Sequence, residues 1–424
     1  MKINKIEKIK GILNLPGDKS ISHRAIMFAS LAKGRSVIKG LLRAEDIFST
    51  INCFENLGCK IVEKNDELII NGMGFKRFKT PQSPLDCGNS GTTTRLISGI
   101  LAAQDFNSIL FGDKSLSKRP MKRIIEPLML MGARVKYSND YKLPLEIIGG
   151  SQLKAIEYRM PVASAQVKSC ILLAGLHIEE KTIIYESQPT RNHTEKMLAL
   201  NTNFIDGNTK IEVSSKNYPV GKEYIIPSDI SSAAFFIVLA LCLKNSELII
   251  KNVSLNNSRT GIIDLLVKMG GNIEIQRKEN IAGEDFGDIS IKSSNLKNVD
   301  IPKSLIPNII DEIPILSVAG FFAEGNFKIN YSEELRHKES NRINSLCENF
   351  RAVGCSVEEY PDGFEIINKK SNQNALIQSF DDHRIAMAFS IFGMISNCQI
   401  EIDSTESIKI SNPEFYTQLK QIVS

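Results

Sequence analysis

Apolar and polar positions along the chain repeat one pattern: an apolar helical stretch, a turn centred on glycine, and a short strand rich in β-branched residues. The clear copies read INCFENLGCKIVE (51–63), IIEPLMLMGARVKY (124–137), IIDLLVKMGGNIEI (262–275) and INSLCENFRAVGCSVEE (343–359). Their glycines, Gly58, Gly132, Gly270 or Gly271, and Gly354, fit the left-handed residue that ends a helix. Two pairs of copies predict a duplicated architecture.

The chain has 424 residues, which is more than one hydrophobic core normally serves, so its length predicts two domains. Strand pairs such as ELIINGMGF (67–75) and KLPLEIIGG (142–150) lie between the copies. Helices and hairpin-like strands therefore alternate, which predicts an α/β fold with mixed sheets rather than a doubly wound parallel sheet. YIIPSDISSAAFFIVLALCL (224–243) marks the crossover between the halves, and residues 276–288 are expected to form a surface loop.

The composition of the chain indicates that, if the protein binds anions, local clusters of basic residues must bind them. The formal charge of +4 is too small to predict a polyanion-binding protein by itself. No apolar stretch approaches the length of a membrane span, and the N-terminus lacks a signal-peptide block, so we expect a cytoplasmic protein. The eight cysteines form no CxxC and the five histidines no HExxH, which predicts reduced thiols and no metal site.

Two helix starts in the first half combine cations with small polar residues. LPGDKSISHRA (15–25) brings Lys19 and Arg24 to the start of a helix with Ser20 or Ser22 as its cap. GNSGTTTR (88–95) forms a tight turn in which Gly91 lets backbone N–H groups approach an anion closely. Helix N-termini attract anions, so both favour phosphate or carboxylate binding. Ordinary capping produces similar strings, and each motif alone leaves that alternative open.

Two further segments of the first half extend this pattern. GDKSLSKRPM (112–121) concentrates cations around Pro120, the expected first residue of a helix. Arg119, directly before this proline, is the cation most suited to face a cleft. ASAQ (163–166) begins another apolar helix, for which Ser164 is a simple cap.

The second half supplies carboxylates as well as cations. IIDEIPILSVA (309–319) sets Asp311 at the start of an apolar helix, and DDHRIAMAF (381–389) does the same for Arg384. ELRHKESNRI (334–343) places Lys338 and Arg342 four residues apart, which predicts that they share one helix face. Basic helix starts with isolated carboxylates, in a chain of low net charge, predict a small polyanionic substrate held between two domains.

These motifs, together with PTRNHTE (189–195), occur in the order typical of EPSP synthases and span residues 15 to about 390. The chain therefore resembles that family, 3-phosphoshikimate 1-carboxyvinyltransferases, in the form found in bacterial class II variants. The resemblance implies two lobes, each of three βαβαββ-type repeats around a pseudo-threefold axis. It assigns residues 15–227 to the N-terminal lobe and residues 1–14 and 228–424 to the C-terminal lobe, with the active site in the interdomain cleft.

The resemblance also implies a transferase reaction. The enolpyruvyl (1-carboxyvinyl) group of phosphoenolpyruvate moves to the 5-hydroxyl of shikimate 3-phosphate, releasing phosphate and giving 5-enolpyruvylshikimate 3-phosphate. In the shikimate pathway this step leads to chorismate and the aromatic amino acids, and it is the target of glyphosate. The family needs no cofactor or metal. Its partners are the two small substrates, without nucleic acid or membrane, and we expect a monomer.

Site residues follow from the resemblance position by position. Shikimate 3-phosphate is expected to contact Lys19, Ser20, Arg24, Ser164, the backbone of Ala165, Gln166, Ser187, Asp311 and Lys338. Phosphoenolpyruvate is expected to contact Lys19, Asn89, Gly91, Arg119, Gln166, Arg342 and Arg384. The catalytic set is Asp311, Glu339, Lys338 and Lys19. Within it, Asp311 is the base for the 5-hydroxyl, and Glu339, with Lys338 as its rival, protonates C3 of phosphoenolpyruvate.

Three positions bear on how far the family pattern applies. Ala165 stands where many relatives have serine, so only its backbone can serve. Ile410 stands where the family often has lysine, which leaves the neighbouring Lys409 without an assigned role. Gly91 keeps the small residue that leaves room for glyphosate, so we predict sensitivity to this inhibitor.

Two alternatives remain from the sequence. UDP-N-acetylglucosamine enolpyruvyltransferases share the fold and the donor, but typically have asparagine at the position of Ser20 and a cysteine in the loop matching GDKSLSKRP, which has none. The second alternative is a non-catalytic phosphate- or RNA-binding protein, whose binding of anions would be broad and would depend strongly on salt concentration. Asp311 and Glu339 would hinder that role, and no aromatic residues alternate with the basic motifs.

Overall fold

The computed structural model describes residues 1–281, 283–368 and 373–423. Contacts between Cα atoms divide the chain into two compact units. Unit 1 comprises Met1–Pro16, Pro227–Glu279 and Asp285–Ser424, and unit 2 comprises Gly17–Ile226 and Asn280–Glu284. Residues 280–284 thus group with unit 2, although the family resemblance places them in the C-terminal lobe.

The described residues form strands separated by helices along the whole chain. The strands are β1 (Lys2–Ile3), β2 (Lys10–Asn14), β3 (Lys33–Lys39), β4 (Lys60–Lys64), β5 (Glu67–Met73), β6 (Leu85–Asp86), β7 (Ser108–Phe111), β8 (Arg134–Ser138), β9 (Lys142–Ile148), β10 (Glu157–Arg159), β11 (Thr182–Glu186), β12 (Asn201–Ile205), β13 (Asn208–Val213), β14 (Glu223–Ile225), β15 (Glu247–Ser254), β16 (Asn272–Ile281), β17 (Glu284–Lys292), β18 (Phe327–Ile329), β19 (Ser356–Tyr360), β20 (Gly363–Asn368), β21 (Ala375–Ile377) and β22 (Ile400–Ile402). The α-helices are α1 (Lys19–Leu31), α2 (Glu45–Asn56), α3 (Gly91–Leu101), α4 (Lys122–Leu130), α5 (Ala165–Gly175), α6 (His193–Met197), α7 (Ile230–Cys242), α8 (Gly261–Lys268), α9 (Ile306–Ile309), α10 (Ile313–Phe322), α11 (Arg342–Ala352), α12 (His383–Ile395) and α13 (Phe415–Ile422).

Three sheets of unit 2 share one topology. Their strand orders are β14-β3-β5-β4, β6-β7-β9-β8 and β10-β11-β13-β12. In each sheet the first two strands are parallel and the remaining neighbours are antiparallel. A parallel pair needs a crossover, and here a helix supplies it: α3 joins β6 to β7, and α5 joins β10 to β11.

Unit 1 contains three corresponding sheets, with strand orders β16-β17-β15-β2, β18-β20-β19 and β1-β22-β21. β2 pairs with β15, and β21 with β22, in parallel. Read along the chain, strand, helix, strand, helix and hairpin recur in both units, with shorter versions in unit 1. The predicted α/β fold with mixed sheets and βαβαββ-type repeats is confirmed.

The helices that cross between parallel strands form the core of each unit. In unit 1, α7 and α10 are apolar on every face, and nearly all of their residues are buried. In unit 2, α3 and α5 pack against each other, and α1 is buried from Ile21 to Leu31. Burial of apolar side chains on all sides fixes each helix firmly. The N-termini of these helices carry most of the predicted site residues.

The glycine turns adopt the predicted conformation. Gly58, Gly132, Gly270 and Gly354 all have φ between 91° and 95°, so Gly270 rather than Gly271 is the left-handed residue. At each turn the glycine N–H and the following N–H bond back to helix carbonyls, which closes the helix and redirects the chain into a strand. The same turn follows α6, where Ala199 takes the left-handed conformation with φ 50°. Because this copy lacks glycine, the sequence pattern missed it.

Four local expectations are corrected. Residues 276–288 belong largely to the neighbouring strands β16 and β17 instead of a loop, apart from Ala282, which lies outside the described residues. Asp18, not Ser20 or Ser22, caps α1 by accepting a hydrogen bond from the Ile21 amide. Pro120 precedes α4 instead of opening it. Lys338 follows a short 3-10 helix and precedes α11, so Lys338 and Arg342 do not share a helix face.

Within the described residues, no single helix is both long and apolar enough to span a membrane. One sharply bent pair, Lys303–Ile309 with Ile313–Phe322, passes that test by length and composition. Across all the residues that the structure describes, no group of three or more His, Cys, Asp or Glu side chains is arranged to hold a metal ion.

Candidate active site

The first candidate cluster, in unit 2, lies at the start of α1. Lys19, the first residue of the helix, forms an ion pair with Asp46 of α2. Arg24 lies one turn further along and is only 3% exposed. Its Nη1 donates to the carbonyl oxygen of Ser20 at 2.9 Å, which fixes the backbone of the helix start. Burial lowers the pKa of Arg24 to about 10, and Arg24 remains a cation at neutral pH.

Gly91 begins α3 and lies beside two guanidinium groups. A Cβ at this position would approach Nη1 of Arg95 to 2.9 Å and Nη1 of Arg119 to 3.4 Å. Arg119 is held by Asn89, whose side-chain oxygen accepts a hydrogen bond from its Nη2 at 2.8 Å. Ser90 caps the helix by accepting from the Thr93 amide. The site therefore combines a helix N-terminus with two cations, an arrangement suited to an anion.

Gln166 joins the starts of α3 and α5. Its side-chain oxygen accepts from Arg95 Nη1 at 2.6 Å, and its side-chain nitrogen donates to the Thr92 hydroxyl at 2.9 Å. Ser164 caps α5 by accepting from the Val167 amide at 3.4 Å, so the prediction of a capping serine is confirmed. These bonds fix the orientation of the Gln166 amide group.

Ser187 is exposed and directly follows β11. The preceding residue, Glu186, is buried and accepts hydrogen bonds from both the amide and the hydroxyl of Thr190. These bonds close the segment that carries Ser187 into a tight loop.

Unit 1 carries a second cluster, in which cations and carboxylates alternate. Oδ1 of Asp311 lies 3.5 Å from Lys338 Nζ and 3.4 Å from Arg342 Nη1. Lys338 also donates to Glu334 at 2.9 Å. Burial works against the charge of Lys338, but Asp311 and Glu334 outweigh it and raise the pKa of the lysine above its ordinary value.

Arg342 is the centre of this cluster and is 1% exposed. Its Nε and Nη2 donate to the two oxygens of Asp382 at 2.7 and 3.2 Å, and Nη2 also donates to Glu339 at 2.6 Å. Burial alone would raise the pKa of Asp382, yet the Arg342 guanidinium outweighs burial and holds that pKa below its ordinary value. Asp382 also caps α12 by accepting from the Arg384 amide.

Arg384 reaches the same cluster from the start of α12. Its Nη1 donates to the backbone oxygen of Asp311 at 2.6 Å and lies 3.5 Å from Oε1 of Glu312. Glu312 is fully buried, and the same oxygen accepts a hydrogen bond from Ser231. A buried carboxylate needs partners, and Arg384 is one of the partners of Glu312. This ion pair therefore helps to hold Arg384 in place.

The structure brings eight of the predicted residues together into two local groups, and the others lie outside these groups. In unit 2, Gly91, Asn89 and Arg119 meet at the start of α3. In unit 1, one network contains Asp311, Lys338, Glu339, Arg342 and Arg384. Lys409 pairs with Glu406 at 2.6 Å.

Four supporting residues lie within the predicted motifs but were not assigned to the site: Thr92, Arg95, Glu312 and Asp382. Asp382 could have been found as the acidic cap two residues before Arg384, and Arg95 as the cation one helical turn after Gly91. No local signal marked the pairing of Arg95 with Gln166, since 71 residues separate them.

Comparison with solved structures first identifies proteins that share this fold. The enolpyruvyl transferase NikO from Streptomyces tendae matches with a TM-score of 0.78 at 11% identity, covering 99% of this chain and 96% of that chain, which shows a shared fold. The EPSP synthase of Acinetobacter baumannii matches with a TM-score of 0.86 at 40% identity, covering 99% and 97%.

Sequence comparison then gives the family. The model of the EPSP synthase (3-phosphoshikimate 1-carboxyvinyltransferase) family matches residues 3–419. The 3-phosphoshikimate 1-carboxyvinyltransferase of Alkaliphilus metalliredigens is 47% identical, covering 99% of both chains. That of Caldicellulosiruptor saccharolyticus is 48% identical, covering 98% of this chain and 97% of the relative. The chain belongs to the EPSP synthase family, and the resemblance seen in the motifs is confirmed.

Proposed function

We propose that this chain transfers the enolpyruvyl group of phosphoenolpyruvate to the 5-hydroxyl of shikimate 3-phosphate, with release of phosphate. Full-length identity of 41–48% to several proteins named for this activity is the observation that carries the proposal. The two local groups, one at the start of α3 and one around Arg342, support the proposal because they supply the cations and carboxylates that the reaction requires. As a transferase of the shikimate pathway, the protein would contribute to chorismate and aromatic amino acid synthesis.

Phosphoenolpyruvate is assigned to the cationic groups around α3 and Arg342. Arg119 and the start of α3 at Gly91 suit its phosphate, and the guanidinium groups of Arg342 and Arg384 suit its carboxylate, since each can bond two oxygens at once. Lys19, Asn89 and Gln166 complete this set.

Shikimate 3-phosphate is assigned to the starts of α1 and α5. Ser20, Ser164, the Ala165 backbone and Ser187 offer donors for its phosphate. The remaining members of the set are Lys19, Arg24, Gln166, Asp311 and Lys338.

The reaction consists of an addition followed by an elimination. Asp311 removes the proton from the 5-hydroxyl as that oxygen attacks C2, while an acid delivers a proton to C3. The tetrahedral adduct then loses a proton from C3 and breaks the bond between C2 and the phosphate oxygen, which restores the double bond. The cations stabilise the charge on the departing phosphate. Acid, base and electrostatic stabilisation all come from side chains, so the chemistry requires no cofactor.

We assign the acid to Glu339, with Lys338 as the alternative. Glu339 accepts a hydrogen bond from Arg342, the arginine assigned to the phosphoenolpyruvate carboxylate. A substrate carboxylate that binds Arg342 competes for the same N–H groups and releases Glu339 from this pairing. The release would allow Glu339 to carry a proton to C3.

Two finer points belong to the same proposal. The small substrates are the partners, and the protein acts as a monomer in the cytoplasm. Its low net charge, and basic motifs with which no aromatic residues alternate, favour small anions over nucleic acid.

Asp311→Ala tests the proposal at the base. The wild-type protein should release phosphate from phosphoenolpyruvate only when shikimate 3-phosphate is present. The variant should keep the circular dichroism spectrum of the wild type but turn over at least about a hundredfold more slowly. Turnover of Asp311→Ala near the wild-type rate would remove the base assignment.

A further inference from the structure

The short helix α6 buries three consecutive polar side chains, and each bonds a different part of unit 2. His193, Thr194 and Glu195 are 0%, 0% and 4% exposed. His193 Nδ1 lies 2.7 Å from a carboxylate oxygen of Glu284. The other two side chains contact helices that carry residues assigned to shikimate 3-phosphate.

Thr194 fixes the side chain of Arg24. Its hydroxyl accepts a hydrogen bond from Arg24 Nε at 2.8 Å and lies 2.7 Å from the Ser169 hydroxyl. Ser169, on α5, accepts from Arg24 Nη2 at 2.9 Å. Three of the five guanidinium N–H groups thus bond Thr194, Ser169 and the Ser20 backbone. A shift of Arg24 would therefore move the start of α1.

Glu195 acts in the same way on α5 and the Ser187 loop. Its carboxylate lies 2.7 Å from Nζ of Lys168, which is fully buried two residues after Gln166. Lys168 also bonds both oxygens of Glu186, at 3.0 and 3.2 Å. Glu186 in turn closes the loop of Ser187 through Thr190. One lysine therefore ties α5, α6 and this loop together.

Stability alone gives little reason for these polar side chains. Buried ion pairs can often be replaced by apolar residues of similar volume without loss of stability, because desolvation offsets the attraction between the charges. Hydrogen bonds, unlike apolar contacts, have a defined direction and fix the orientation of the groups that they join. The network is therefore suited to hold Ser20, Arg24 and the loop of Ser187 in one geometry.

We propose that Thr194 and Glu195 are positioning residues for shikimate 3-phosphate. They touch neither substrate and act through Arg24 and Lys168. The inference rests on the proposed function, since it uses the residues assigned there to the acceptor substrate. It predicts that loss of either side chain weakens the binding of shikimate 3-phosphate and leaves that of phosphoenolpyruvate nearly unchanged.

Thr194→Val and Thr194→Ser form the first test, because valine keeps the shape and serine keeps the hydroxyl. Steady-state kinetics with each substrate varied should show that Thr194→Val raises KM for shikimate 3-phosphate about tenfold, the usual effect of losing one bond to a charged group. KM for phosphoenolpyruvate should stay within about twofold, and Thr194→Ser should restore the wild-type value. Equal increases in both KM values, or no increase, would overturn the proposal.

Glu195→Gln provides a second variant if Thr194→Val does not fold, and should raise the same KM several-fold. Ile211→Val, a substitution in the buried core at β13, is its control for lost stability. The control should lower the unfolding temperature and leave both KM values unchanged; a similar KM shift in the control would show that the effect is only structural. Failure of the wild-type protein to use shikimate 3-phosphate would instead reject the proposed function.

Discussion

At the scale of single residues, Gly91 contributes to the proposed phosphoenolpyruvate site by having no side chain. A methyl group there would lie 2.9 Å from Nη1 of Arg95, so that guanidinium group would have to move, and it would contact Nη1 of Arg119 at 3.4 Å. We predict that Gly91→Ala raises KM for phosphoenolpyruvate about tenfold, since it displaces charge-assisted bonds. KM for shikimate 3-phosphate should stay within about twofold in the same assays.

We predict that the same position governs the response to glyphosate. We expect the wild-type protein to be inhibited by glyphosate and Gly91→Ala to be inhibited much less, because the methyl group occupies the space that glycine leaves. Inhibition curves measured against phosphoenolpyruvate check both points. Indifference of the wild-type protein to millimolar glyphosate would contradict the first.

Glu312 gives a second prediction at the residue scale. It lies 3.5 Å from Arg384 and is fully buried, so Glu312→Gln weakens the support of that cation without changing the volume of the side chain. KM for phosphoenolpyruvate should rise a few-fold. Glu324→Gln is the matched control, because Glu324 is exposed and pairs only at the surface with Lys297. An equal effect of both substitutions would show that Glu312 has no special role.

At the scale of elements, the glycine turns explain how each outer helix returns to its sheet. Ala199 adopts the left-handed conformation that glycine takes after α2, α4, α8 and α11. This conformation costs an alanine roughly 1 kcal/mol relative to glycine. Ala199→Gly should therefore raise the stability of the protein by up to about 1 kcal/mol.

Gly270→Ala is the reciprocal substitution. The added Cβ would make only an ordinary contact, 3.5 Å from the backbone oxygen of Asn295. Any loss of stability should therefore come from the backbone conformation alone. We expect a decrease of about 1 kcal/mol. Thermal unfolding of the two variants and the wild type measures both effects. Shifts of the same sign for the two substitutions would contradict this account of the turns.

Elements also show what could be predicted from the sequence. Local chemistry revealed the glycine turns and the cations at helix starts, because both depend on residues within one turn of each other. The β16–β17 strands were missed since their charged residues, in QRKENIAGEDFGD, are typical of a loop. Pairings such as Lys168 with Glu186 and Arg384 with Glu312 join different elements. No pattern along the chain predicts such contacts, which depend on the packing of the whole unit.

At the scale of the whole molecule, buried histidines predict how stability depends on pH. His177 packs against Phe75 and Tyr218, and burial lowers its pKa to about 4. Burial also lowers the pKa of His23 well below its usual value. An unfolded histidine binds a proton below pH about 6.5, whereas the folded one stays neutral until about pH 4. Stability contributed by the neutral form is thus present above pH 6.5 and lost as pH falls towards 4.

His177→Asn tests this expectation, since asparagine can keep the bond to the Leu173 oxygen without titrating. The wild type should lose on the order of 3 kcal/mol from His177 alone between pH 6.5 and pH 4, and the variant should show a shallower decline. His337→Asn, at an exposed histidine, is the control. Unfolding temperatures measured across this range would contradict the account if His177→Asn declined as steeply as the wild type.

The central claim concerns the reaction of the whole protein, and choice of the acceptor substrate tests it most directly. Phosphate release from phosphoenolpyruvate should be measured with shikimate 3-phosphate and, separately, with UDP-N-acetylglucosamine. We predict release with the first only, with one enolpyruvyl ether formed at the 5-hydroxyl per phosphate. Release with UDP-N-acetylglucosamine alone, or with neither compound, would contradict the account.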